Sequence, residues 1–131
     1  MFAAGESDRA LERLSAYTQR RLLGEHVPYA VEAYPEGNQA HLSAESALYC
    51  RIFVEGVFGI RPTALNGFDI TPNMPSAWNR MALRRVQAFG QTFDVEVTRA
   101  SGGARVRVTA DGRAPIERVV PAGSHASISF Q

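Results

Sequence analysis

The stretch Cys50-Arg-Ile-Phe-Val-Glu-Gly-Val-Phe-Gly-Ile-Arg-Pro62 is where the chain changes its pattern. Leading into it and through its first half, Leu48, Tyr49, Ile52, Phe53 and Val57 fall at helical spacing. After it, apolar residues recur every second position, as in half-buried strands. Phe68 and Ile70 alternate with Asp69 and Thr71, and Phe93, Val95 and Val97 with Asp94, Glu96 and Thr98. The same alternation marks Val106 and Val108 among Arg105, Arg107 and Thr109, and Ile128 and Phe130 beside Ser127 and Ser129. Gly90, Ser101-Gly102-Gly103, Asp111-Gly112 and Ala122-Gly123 punctuate these runs as hairpin turns do, Asp-Gly being the strongest signal. The expected fold class is therefore α+β: an N-terminal helical pair over residues 1–60, then an antiparallel, β-sandwich-like unit over 61–131. A meander is expected, in one layer or as part of a sandwich. Pro72, Pro75 and Trp78 suggest a rigid, irregular crossover within it.

Working back from the junction, the second helix spans about Ser43 to Gly56 or Phe58. Ala44, Ala47, Cys50 and Val54 make it apolar almost all round, with only Glu45, Arg51 and Glu55 charged. Such a helix is usually buried on most sides. One preceding helix cannot do this, so either the β unit covers it or helices from outside the pair surround residues 43–58. Cys50 reads as a small buried hydrophobe. The first helix, Ser7 to Leu23, carries Ala10, Leu11, Leu14 and Tyr17 on one side and arginines mainly on the others. Asp8 suits its positive end and Gly24 its termination.

Between the helices lies His26 to Leu42, too long and polar for a tight connection. It holds Glu32, Glu36, Tyr29, Tyr34, Gln39 and His41. Carboxylates that move protons, aromatic faces that stack on pyranose rings and amides that bind hydroxyls are what sugar chemistry requires. Glu32 and Glu36 also fit an ordinary solvated loop, and His41 a hydrogen bonder at the start of a helix. Trp78 is a further sugar-binding candidate or else a packed anchor. Arg84 and Arg85, adjacent on a strand, should point to opposite faces, leaving one solvated.

Composition narrows the classes of function. Fourteen Lys+Arg, all arginine, against thirteen Asp+Glu leave a formal charge of +1, so no strong field draws nucleic acid or an anionic membrane surface. No apolar run reaches the roughly 20 residues of a membrane span. The first nine residues lack the pattern of a signal peptide. A soluble protein is expected, in cytoplasm or periplasm. One cysteine and three scattered histidines exclude an internal disulfide and a Cys/His zinc cluster, and no phosphate-cradling glycine motif implies a nucleotide.

The run from Ala40 to Pro62, followed by Gly67-Phe-Asp-Ile-Thr-Pro72 and Met81-Ala-Leu-Arg84, resembles the end of bacterial six-hairpin glycosidases, which are (α/α)6 barrels. In related groups, disaccharide phosphorylases and rhamnosidases among them, an all-β domain follows the last barrel helix through a similar Gly-hydrophobic-Arg-Pro junction. The resemblance covers most of residues 26–98. Glu32-Ala33-Tyr34 with Gly37 is similar to the Glu-x-Tyr element of trehalase-like and glucosidase-like enzymes, whose Glu is the general base. It implies that Glu32 activates water, with Glu36 in reserve, and that Tyr29 or Tyr34 positions the sugar; Gln39 and His41 of the same loop, and Trp78 of the β unit, are the further residues expected to contact a carbohydrate. It implies no cofactor and no metal. Asn38-Gln39-Ala40-His41 departs from the family's Gly-Trp-containing approach to the helix, and the family's general acid lies on a barrel helix that this chain does not contain. Two catalytic carboxyls stand about 6.5–9.5 Å apart in inverting enzymes and about 5–5.5 Å in retaining ones. Glu32 and Glu36, four residues apart in one loop, do not suit that arrangement. The expectation is a part of a glycoside hydrolase that is not catalytic alone, or alternatively a non-catalytic carbohydrate-binding or structural β module.

Overall fold

The computed structural model describes residues 1–21 and 48–130. It has the expected α+β layout, with helices first and antiparallel sheets after them. Helix α1 (Ser7–Arg21) follows a short turn, Phe2–Ala4, and buries Ala10 and Leu14. Asp8 accepts a hydrogen bond at 2.6 Å from the Ser76 amide, 68 residues away. Its carboxylate therefore ties α1 to the β unit as well as lying in the first turn of its own helix.

The second helix ends in a π-helical segment, Ile52–Val57. The Phe58 amide donates to the Phe53 carbonyl five residues back, the wider spacing of that helix type. Carbonyls at a helix end need outside donors, and Asn73 supplies them. Its side-chain amide donates to Gly56 O at 2.7 Å and its backbone amide to Val57 O at 2.9 Å. Gly59 then takes a left-handed φ of 64° and accepts from the Thr71 amide at 3.1 Å. At Gly56 the missing side chain lets the Phe2 ring lie against the helix: a Cβ would stand 2.9 Å from Phe2 Cδ2.

Seven strands follow: β1 (Ile60–Ala64), β2 (Gly67–Ile70), β3 (Arg80–Ala88), β4 (Gln91–Ala100), β5 (Gly103–Ala110), β6 (Ile116–Pro121) and β7 (Ala126–Ser129). They form two antiparallel sheets, in the orders β1-β2-β7 and β3-β4-β5-β6. The meander expected from the turns is real from β3 to β6. The last strand departs from it by returning to β2, with Phe68 opposite Ile128. The faces of both sheets supply one core, in which Phe68, Ile70 and Ile128 meet Phe93, Val95, Val97, Val106 and Val108, all buried. Phe2, Ala10, Val57 and Phe58 belong to the same cluster, so the helices and the β unit share it.

Two sequence expectations change, at Cys50 and at Arg84-Arg85. Cys50 is exposed and so is not a buried hydrophobe. Of the two ways expected to bury the second helix, full cover by the β unit is not seen over its described residues: Leu48 is 54% exposed, and Ile52 and Val54 are also exposed. Arg84 and Arg85 are both exposed. A register shift between Leu83 and Val86, with Arg85 at φ 53°, breaks the strict alternation that would have sent one of them inward.

Candidate functional site

Of the residues expected to contact a sugar, Trp78 lies in the described part. Glu32, Glu36, Tyr29, Tyr34, Gln39 and His41 lie outside the described residues. The crossover 71–79 positions Trp78. Its amide donates to the Pro75 carbonyl at 3.0 Å, and its own carbonyl accepts from Arg99 Nε at 3.1 Å and Nη2 at 2.9 Å. Arg99 Nη2 also reaches Pro75 O at 2.7 Å. Prolines remove backbone donors from this segment, and one guanidinium with its fan of N–H groups satisfies several of the carbonyls left over. Sequence reading missed Arg99 and Asn73. Their only local signal is a polar side chain beside a segment that cannot join a ladder.

The half-buried Trp78 ring borders a cleft of about 420 Å³ whose other walls include Phe53, Phe58, Arg80, Met81 and Leu83. This brings the end of the second helix and the start of β3 together around an aromatic surface, with one guanidinium at the side. An aromatic ring beside a hydrogen-bond donor suits the apolar face and the hydroxyls of a pyranose. Trp78 also packs against the core cluster, so its anchoring role and its place in the cleft coexist.

The carboxylates nearest Arg80 are committed elsewhere. Arg80 donates to Glu96, and Arg84 to Asp94 at 2.8 Å and to Glu96 at 3.2 Å. Hydrogen bonding from Arg80 holds Glu96 below its ordinary value. Asp94 is held down by the Arg85 amide, then by the Arg84 guanidinium. Asp8 is lowered by the Ser76 amide, and Glu55 by the Arg51 pair. A general acid needs the opposite shift, a carboxyl that keeps its proton near neutrality. These four groups are ionised there and act as hydrogen-bond acceptors. Among the described residues no cluster of His, Cys, Asp and Glu is gathered to hold a metal ion, and no helix is long and apolar enough to cross a membrane.

The downward shift of Asp94 has a measurable consequence. Its stabilising contribution is complete above the unfolded carboxylate value near 3.8 and is lost as pH falls through the lower folded value. Asp94→Asn should therefore have a lower urea midpoint than the parent chain at about pH 6, and the gap should shrink at about pH 2.5. An equal gap at both pH values would show that the lost hydrogen bonds are not charge-assisted.

A second concave surface separates α1 from the second helix. It is a groove of about 450 Å³, bordered by Phe2, Leu14, Tyr17, Leu48, Tyr49 and Ile52, with Arg13 at its edge. Tyr17 and Tyr49 stack with centroids 6.0 Å apart, and the Tyr49 hydroxyl meets Thr18 Oγ1 at 2.7 Å. The two helices thus hold one another through a few aromatic and hydroxyl contacts, leaving Leu48 toward solvent.

Comparison of the chain with protein-family models, with curated proteins and with solved structures finds no match.

Proposed function

We propose that this chain is the C-terminal portion of a glycoside hydrolase of the six-hairpin class, comprising the last helical pair and the β-sandwich-like unit that follows it, and that it does not hydrolyse glycosides alone. The observation that carries this reading is the incompletely covered second helix. Leu48, Ile52 and Val54 are exposed, and an apolar groove runs between this helix and α1. Apolar surface gathered on one element marks a place where other elements pack, and further barrel helices are the occupants that the junction at Gly59–Pro62 suggests. Hydrogen bonding across the junction supports the same reading: Asn73 and Thr71 of the β unit donate to the carbonyls of Gly56, Val57 and Gly59, so the two parts are built to hold a fixed orientation. In the parent enzyme Glu32 would activate water, and Tyr29 or Tyr34 would position the sugar.

The pure chain should show no turnover of aryl glycosides. Hydrolysis that disappears in Glu32→Gln would overturn the proposal that the chain lacks its general acid, because the chain would then hold a complete acid and base pair. The Trp78 cleft favours a second reading, in which the β unit binds carbohydrate without catalysis. On that reading Trp78→Phe weakens glycan binding in a chain that is still folded.

A further inference from the structure

The two sheets leave an open mouth where strand β6 ends one sheet and β7 ends the other. The cleft there has a volume of about 570 Å³, within the roughly 300–1,000 Å³ range of small-ligand sites. Arg113 from the β5–β6 loop, Arg118 from β6 and Ser127 and Ser129 of β7 line it, with Ile116 and Phe130 contributing apolar surface. No acidic residue lines it. The ion pairs among the described residues take up Arg9, Arg51, Arg80, Arg84 and Arg107, and neither Arg113 nor Arg118 is among them. Arg118 Nη1 donates only to the neighbouring Glu117 carbonyl, at 2.8 Å.

The position of Arg118 is unusual for its strand. It stands opposite the fully buried Val106, between Ile116 and Val120, in the register position that faces the other sheet. Arg118 itself remains exposed at the open edge, and a charge at an inward register position of an edge strand can serve to prevent edge-to-edge association. That explains Arg118 alone. It does not explain why a second arginine, from a different segment, lines the same cleft with no carboxylate to neutralise either. Two guanidiniums beside apolar walls concentrate positive potential, and their planar forks match a carboxylate in two-point hydrogen bonding. Ser127 Oγ donates its proton to Asp69 at 2.6 Å, which leaves that oxygen as an acceptor for a ligand hydroxyl. The complement of this set is a molecule with one carboxylate, several hydroxyls and an apolar ring face.

We propose that this cleft binds a uronic acid residue of an acidic glycan, with Arg113 and Arg118 on its carboxylate and the β7 serines on its hydroxyls; the choice of a sugar rests on the function proposed above. The test is a titration of the intact chain with digalacturonate, followed by amide NMR. Saturable shifts are expected at residues 113–118 and 126–129. Galactobiose, with a hydroxymethyl group in place of each carboxylate, should bind at least about ten-fold more weakly, as should Arg113→Gln and Arg118→Gln with digalacturonate. Salt at about 0.5 M should weaken binding further.

Equal affinity for galactobiose would overturn the inference, as would acetate or inorganic phosphate binding as tightly as digalacturonate, which would make the cleft a simple anion point. Shifts confined to the Trp78 region would overturn it while leaving a carbohydrate function standing. Turnover of aryl glycosides by the pure chain bears on the general acid alone and is read independently of this titration, whereas binding of neither digalacturonate nor galactobiose anywhere on the chain would overturn the carbohydrate reading together with this one. Arg113 lies in a loop outside the ladders, so its variant keeps the test valid if Arg118→Gln associates or unfolds. Undiminished binding by a folded Arg113→Gln would restrict Arg118 to edge protection and sink the proposed site.

Discussion

Gly59→Ala is expected to lower the stability of the whole chain by about 4 kcal/mol. A residue with a side chain in the left-handed region costs about 1–2 kcal/mol, and here there is also no space. A Cβ on Gly59 would stand 2.1 Å from the Thr71 carbonyl oxygen and 2.8 Å from its carbon. Relief requires the crossover to move away from the helix end. That breaks the Thr71 amide bond to Gly59 O and disturbs those from Asn73 to Gly56 O and Val57 O. Each is worth about 1 kcal/mol net, and more where a buried carbonyl is left unpaired. For a chain of this size the melting temperature should fall by about 10–20 °C. Gly112→Ala is the control: its φ is 68°, but nothing lies within 4 Å of the added carbon, so only the backbone cost of about 1–2 kcal/mol applies. Equal losses in the two variants would mean that the contact with Thr71 is not what fixes the junction.

Phe68→Ala should cost a similar amount, about 3–5 kcal/mol, by the usual cost of emptying a buried aromatic site. Phe68 is fully buried, with Phe89, Phe93 and Phe130 at centroid distances of 5.6, 5.7 and 6.1 Å. The loss extends to the β3–β4 turn. Phe89 occupies a left-handed φ of 55°, uncommon for a bulky residue, next to Gly90 at φ 65°. Stacking on Phe68 offsets that strain. In urea unfolding, Phe89→Asn should therefore be less harmful in the Phe68→Ala background than alone, by about 0.5–1.5 kcal/mol. Strict additivity would show that the turn holds its conformation without the ring stack.

Strands were legible in the sequence wherever one face met the core and the other met water. Strands β2, β4, β5 and β7 announce themselves by alternation because each has a buried face against a wetter one. Strands β1 and β6 did not, for identifiable reasons. β1 buries Ile60 alone and contains Pro62. In β6, Arg118 sits at an inward position while Val119 faces out, 68% exposed, so the pattern is inverted at one pair. Edge position alone does not account for this, because β7 is an edge strand too and keeps its alternation; what β1 and β6 lack is a regular apolar face. The candidate site was legible in part. Trp78 stood out by its residue type, whereas nothing in the local sequence marks Arg113 and Arg118, which only the return of β7 beside β2 places at the mouth of a cleft.

By itself the sequence determined the change of architecture at Gly59–Pro62, because side-chain period is a local property of helix and strand and needs no partner to be read. Only the tertiary structure decided how the two parts are joined. The capping of the second helix by Asn73, the tie from Asp8 to Ser76 and the close approach of Gly59 to Thr71 link positions 12 to 68 residues apart. Local sequence carries no record of such distances. They follow from the one packing in which both sheets and the helix end exclude water from the same core.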